Sequence, residues 1–229
     1  MSISLEKRVE TVKISLEKKK APQVSVDVAF AVDISGSMNG MYRDGTVQDV
    51  IDRIYAMAYA MDPDKTLEVF AFNTGVKHLP PMVEADYGSY VNKHVAPIVG
   101  GGTNYAPLFE EVNHIYGTKK AQKKGFFGGL FGKKDESTSG TKEKPLYVIF
   151  ITDGDATDSS DTRKVIKEME NSNVYIQCVG IGGGFRLLES IADEYDHVGF
   201  CAMNDIRISD EEMYNLFITD ELVTFLKKF

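Results

Sequence analysis

Two apolar runs stand out along the chain, residues 26–32 (VDVAFAV) and 146–151 (LYVIFI), and each gives way at once to a polar loop carrying an acid. In the first run Val26, Val28, Phe30 and Val32 alternate with Asp27, Ala29, Ala31 and Asp33. That is the period of a strand, and the small alanines on the second face suit a sheet covered on both sides. Residues 46–61 change period: Val47, Val50, Ile51, Ile54, Tyr55, Met57 and Ala58 recur at helical spacing, with Asp44 as a cap and Asp62-Pro63-Asp64 as the stop. Leu67, Val69, Ala71 and Phe72 predict a strand, turned by Asn73-Thr74-Gly75 into a short run at 76–79 that Pro80-Pro81 terminates, hence an antiparallel edge pair. Helices are expected at 84–94, 107–116, 162–169 and 185–194, and strands at 146–151, 174–179 and 197–203. A terminal helix opens at Ser209-Asp210-Glu211, with Met213, Leu216, Phe217, Val223 and Leu226 facing the sheet. Alternating strands and helices imply a mostly parallel sheet with helices on both faces.

Two stretches depart from this alternation. The pentapeptide ISLEK occurs at 3–7 and again at 14–18. Its alternating apolar residues predict two short strands or one edge hairpin in a segment spanning 1–22, with a charged tail as the alternative. Residues 117–144 look like an insertion into the domain at 23–229, with lysine pairs at 119–120, 123–124 and 133–134 around Phe126, Phe127, Leu130 and Phe131. A surface loop is the plain reading; a basic, aromatic contact patch for an acidic partner or a membrane surface is the functional one.

Composition narrows the classes. At 229 residues, 43% hydrophobic and 26% charged, the chain suits one sizeable soluble domain. A net charge of −8 argues against non-specific attraction to nucleic acid or anionic membrane. No run approaches the ~20 apolar residues of a spanning helix, and the first residues lack the apolar core of a secretory signal, so a cytoplasmic address is expected. Cys178 and Cys201 both sit in strand-like runs and read as buried free thiols.

The chemistry gathers after the strands. Asp33, Ser35 and Ser37 follow the first apolar run at i, i+2 and i+4, with Gly36 and Gly40 between and beyond them. Thr103 follows three glycines in VGGGTNYAP, and Asp153 follows the run at 146–151 in TDGD. Ligand groups in an open parallel sheet collect at the carboxyl ends of strands, near the topological switch point. Carboxylate and hydroxyl oxygens are hard donors that suit Mg²⁺ or Mn²⁺, and no thiolate or imidazole cluster favours zinc. Taken singly, each position is an ordinary turn or cap residue. Asp155 and Asp158 read as loop or cap residues, residues 180–184 (GIGGG) as a tight turn, and the four histidines show no ligand spacing.

The DxSxS motif at 33–37, the Thr103 of GGTN and the Asp153 of TDG, in that order, resemble the metal-ion-dependent adhesion site (MIDAS) of von Willebrand factor type A (vWA) domains. The likeness runs from about residue 24 to the end of the chain. It implies a doubly wound, Rossmann-like α/β fold in which Ser35, Ser37 and Thr103 ligate the ion directly. Asp33 and Asp153 would hold it directly or through water, leaving one position for the Asp or Glu carboxylate of a protein partner. The resemblance therefore implies binding and not bond breaking, with Mg²⁺ the expected ion and Mn²⁺ or Ca²⁺ possible. The ISLEK segments are similar to the opening of tellurium-resistance (Ter) proteins, which implies a scaffold in a bacterial or phage stress-response system. Two competing readings are a metal-dependent hydrolase or phosphotransferase on the same residues, and an interaction surface on the insertion.

Overall fold

In the computed structural model, residues 3–117 and 144–229 are described. The expectations for the insertion lie outside them. Six strands form one sheet: β1 (Asp27–Asp33), β2 (Leu67–Phe72), β3 (Val76–Met82), β4 (Leu146–Thr152), β5 (Val174–Ile181) and β6 (Val198–Met203). They run in the order β3-β2-β1-β4-β5-β6, all parallel except the antiparallel β2–β3 pair at one edge. The chain winds outward from β1 in one direction and from β4 in the other. The switch point therefore lies between the two strands that carry the strongest apolar runs.

Helices cover both faces, and the alternation within each central strand assigns the sides. Val28, Phe30 and Val32 of β1, with Tyr147, Ile149 and Ile151 of β4, pack under α1 (Leu5–Lys18), α3 (Thr46–Met61), α7 (Asp210–Phe217) and α8 (Asp220–Leu226). Ala29 and Ala31, with Val148 and Phe150, face α4 (Ala106–Tyr116), α5 (Ser159–Met169) and α6 (Arg186–Glu194). A short α2 (Asn39–Arg43) links the end of β1 to α3. The expected doubly wound α/β architecture with one antiparallel edge strand is the one observed.

Four local expectations need correction. The segment read as strand-like is a helix, α1, capped by Ser4, and Leu5, Val9 and Val12 join the core beneath it. Those three residues stand at helical spacing, whereas Ile3 and Ile14, which made the ISLEK pattern look alternating, are 37% and 45% exposed. β3 continues through Pro80-Pro81 to Met82 where an end was expected, with a register shift opposite residues 67–69. An edge strand tolerates missing N–H donors. Residues 84–94 are not one helix but short turns, Glu84–Asp86 and Val91–Val95, separated by Gly88 at φ +75. The N–H groups of Gly88 and Val91 bond Asp52 and Gln48 of α3 in place of a helical ladder. The terminal helix is two helices, because Thr219 starts a new one by accepting the Leu222 N–H.

Candidate metal centre

β1 ends in Asp33, whose side chain has no solvent exposure. A buried carboxylate needs a partner for each oxygen, and both are present. Oδ1 accepts the Ser35 amide at 2.7 Å and Oδ2 accepts the Thr152 hydroxyl, from the end of β4, at 2.7 Å. The Tyr42 hydroxyl of α2 donates to the Asp33 main-chain carbonyl at 2.7 Å. Past the strand, the chain turns through Gly36–Met38 as a single 3₁₀ turn, which lifts Ser35 and Ser37 to the same side. Their hydroxyls lie 3.0 Å apart, and Ser37 Oγ donates to Asp153 Oδ1 at 2.8 Å. Ser35, Ser37 and Asp153 thus form a connected line of oxygens across the switch point between β1 and β4, with Asp33 joined to it through the Ser35 amide.

Thr103 lies on a separate loop that runs beside this one. Gly100 N–H donates to the Ile34 carbonyl at 2.6 Å, and Gly36 N–H donates to the Gly101 carbonyl at 3.1 Å, so the glycine loop lies directly along the Asp33–Ser37 loop. Gly100 and Gly101 have φ of +146 and +96, a backbone region that side-chain-bearing residues rarely adopt. This requirement accounts for Gly100 and Gly101, the first two of the three glycines ahead of Thr103.

The electrostatics favour a cation. Burial pushes the Asp33 carboxyl above its ordinary range, and the Asp153 charge adds to this, against the opposing hydrogen bonds from Ser35 and Thr152. Two carboxylates and two hydroxyls supply hard oxygen donors without imidazole or thiolate, and this donor set fits Mg²⁺, Mn²⁺ or Ca²⁺. Among the described residues there is no cluster of three or more His, Cys, Asp and Glu side chains suited to a metal. Serine and threonine oxygens are needed to complete any shell here.

Three contributors were not singled out in the sequence. Thr152 reads there only as the first residue of the polar loop after the apolar run, yet it ends β4 and its hydroxyl is the partner of Asp33 Oδ2. Asp158 stands at the start of α5 but turns its carboxylate to the N–H groups of Tyr105 and Ala106, at 3.0 and 2.8 Å, capping α4 behind the Thr103 loop. The cap reading was correct in kind, but the capped helix is a different one. Asn73, read as a turn former, also bonds the glycine loop. Only the abundance of short polar residues in 152–158 (TDGDATD) signalled that this loop has several tasks.

Elsewhere the candidate chemistry is structural. Cys178 and Cys201 are free thiols on opposite faces of the sheet, and burial pushes Cys201 up to about 11. Gly180 leaves room for the Phe185 ring, which a Cβ would meet at 2.5 Å, so the glycines at 180–184 serve a tight strand-to-helix turn. No helix among the described residues is long and apolar enough to cross a membrane.

Similarities to known proteins bear on the fold. The uncharacterized protein YcbR of Bacillus subtilis (strain 168) is 29% identical over 229 residues, covering 96% of this chain and 84% of its own. Among solved structures, proximal thread matrix protein 1 from the mussel byssus superposes with a TM-score of 0.56 at 17% identity, over 88% of this chain and 48% of its own. The same mussel protein with a zinc-occupied MIDAS motif gives 0.53 at 19% identity, covering 89% of this chain and 48% of its own. Manganese-loaded TRAP protein of Plasmodium vivax gives 0.53 at 16% identity, covering 87% of this chain and 74% of its own. The chain spans about half the length of the mussel protein, and at these identities the superpositions speak for the fold. A profile described as the vWA domain found in the TerF C terminus matches residues 25–127 and 132–228, so the chain belongs to the vWA-TerF-like family.

Proposed function

We propose that this protein is a divalent-cation-dependent protein-interaction module in which Asp33, Ser35, Ser37, Thr103 and Asp153 hold the ion. The observation that carries this reading is the chain of hydrogen bonds from buried Asp33 to the Ser35 amide, and from the Ser35 hydroxyl through Ser37 to Asp153, which joins the two central strands at the switch point. Hydroxyl ligands are neutral, so the bound ion keeps much of its positive charge. An Asp or Glu carboxylate of a partner then gains both coordination and charge pairing. Mg²⁺ is the expected ion, with Mn²⁺ or Ca²⁺ able to use the same oxygens. No His, Cys or Lys lies among the five positions to serve as a general base, which favours capture over catalysis. Membership in a family named for TerF supports a scaffold role in a tellurium-resistance or related stress-response assembly, in the cytoplasm where two free thiols are at home.

The test is affinity capture from native lysate with wild type and Asp33→Ala, each with Mg²⁺ and with chelator, followed by competition with an acidic peptide. The expected result is a protein retained only by wild type with the ion, and released by the peptide. Capture that ignores the ion and Asp33 contradicts the proposal, and so does Asp153-dependent turnover of a phosphoester.

A further inference from the structure

Thr103 sits on a loop with no regular structure, between 3₁₀ residues Ala96–Ile98 and α4, and something must fix its height against the Asp33–Ser37 loop. Main-chain bonds from Gly100 to Ile34 and from Gly36 to Gly101 tie its start, and the β2–β3 turn adds a hold on both ends through one residue. Asn73 Nδ2 donates to the Gly100 carbonyl at 2.7 Å, and the Asn73 main-chain carbonyl accepts the Asn104 N–H at 2.7 Å. A single residue therefore holds both ends of the segment 100–104 that contains Thr103. The contact is close: a Cβ on Gly101 would stand 3.0 Å from Asn73 Nδ2, and one on Gly102 would stand 3.4 Å from Thr74 Cγ2. From the far side, the Thr157 N–H bonds the Thr103 carbonyl at 3.2 Å and the Thr157 hydroxyl bonds Asn104 Oδ1 at 2.7 Å. The loop is thus gripped between two turns.

Asn73 has an ordinary task as well. Its Oδ1 accepts the Gly75 N–H at 3.1 Å, which closes the hairpin turn. That bond needs only an acceptor, and aspartate would serve. The bond to Gly100 needs the amide donor, which aspartate lacks. The amide is thus used for something the turn does not require.

We propose that Asn73 is a positioning residue for the metal centre, acting through Thr103 by stapling the segment 100–104. The inference rests on the proposed ion site and adds a determinant of its affinity from outside the ligand set. Partners that orient ligands typically change metal affinity by ~10–100-fold when removed.

The experiment is a double-mutant cycle read by Mn²⁺ titration calorimetry on wild type, Asn73→Ala, Asn73→Asp, Thr103→Ala and the two combinations with Thr103→Ala. Circular dichroism melts check that each variant is folded, and Asn73→Asp stands in if Asn73→Ala is not. The expected result is Mn²⁺ binding weakened about tenfold or more by Asn73→Ala and by Asn73→Asp in the wild-type background. In the Thr103→Ala background the Asn73→Ala change should be under about twofold, because the two residues act as one unit. Additive effects, or unchanged Mn²⁺ affinity in a folded Asn73 variant, overturn the inference while leaving the ion site standing; unchanged affinity in Thr103→Ala overturns the inference and removes Thr103 from the ligand set. Wild type that takes up no Mn²⁺ overturns the site and the inference together.

Discussion

A carboxylate cut off from water depends on each of its hydrogen bonds, and Asp33 has one per oxygen from side chain or amide. Thr152→Val keeps the shape of β4 and deletes the donor to Oδ2. The expected loss is ~1–3 kcal/mol of folding stability, the cost of a buried acceptor left without its partner. Urea denaturation measures it, and a loss below about 0.5 kcal/mol would show that Asp33 does not rely on Thr152. A second residue-scale prediction concerns His197, 4% exposed, whose ring nitrogens have no hydrogen-bond partner of ordinary geometry. Burial, helped by the Lys228 charge, pushes it down to about 4 against the weaker upward pull of the Ile166 main chain. Its folded value lies below the unfolded ~6.5, so the unfolded chain binds more protons between the two. The contribution to stability is full above about pH 6.5 and is lost as pH falls toward 4, by up to roughly 3 kcal/mol. His197→Phe should flatten the stability–pH curve over that window; an unchanged slope would contradict the assignment. At this scale the five proposed ligand positions could be singled out because their residue types and order are distinctive. Thr152 and Asn73 were not, because a strand-end threonine and a turn asparagine have common structural roles that hide a second one.

At the scale of elements, the misread segment is the instructive one. Ile3 and Ile14 are eleven residues apart, and an 11-residue period is about three helical turns, so the ISLEK echo brings equivalent residues to the same side of a helix. The alternation within each five-residue copy was the weaker signal. α1 is then fastened by charge as well as by apolar contacts. Arg8, 4% exposed, contacts Asp49 of α3 and lies 3.4 Å from Asp210 of α7. Arg53 reaches the same two acids, at 2.8 Å to Asp49 and 2.9 Å to Asp210. The Arg53 Nε–Asp210 Oδ1 contact lacks hydrogen-bond alignment, so the attraction there is ionic. The Arg8, Arg53 and Asp210 side chains are at most 10% exposed while that of Asp49 is 44% exposed, so removing Arg8 leaves Asp210 short of a partner in a partly buried network. Arg8→Ala should cost about 3 kcal/mol in urea denaturation and release α1, seen as faster amide exchange over Leu5–Lys18. Stability within about 1 kcal/mol of wild type would mean that the apolar face of α1 suffices without the network. Nothing in the sequence pairs Arg8 with Asp210, since the partners are joined only by the packing of α1 against α7.

For the whole molecule, the sheet order makes neighbours of the two strands that stand out in the sequence, and their ends deliver Asp33 and Asp153 to one point. The architecture was legible because strand and helix periods alternate strongly. The grip on the Thr103 loop was not, because it depends on β2, β4 and α4 meeting in space. A divalent cation held at this meeting point should be visible by diffraction from crystals grown with Mn²⁺. The prediction is one anomalous peak among Ser35, Ser37 and Thr103, at ~2.0–2.2 Å from its hydroxyl ligands with Asp33 and Asp153 direct or one water away, and absent in Asp33→Ala. No peak there in wild type, or a peak that persists unchanged in a folded Asp33→Ala, would contradict it.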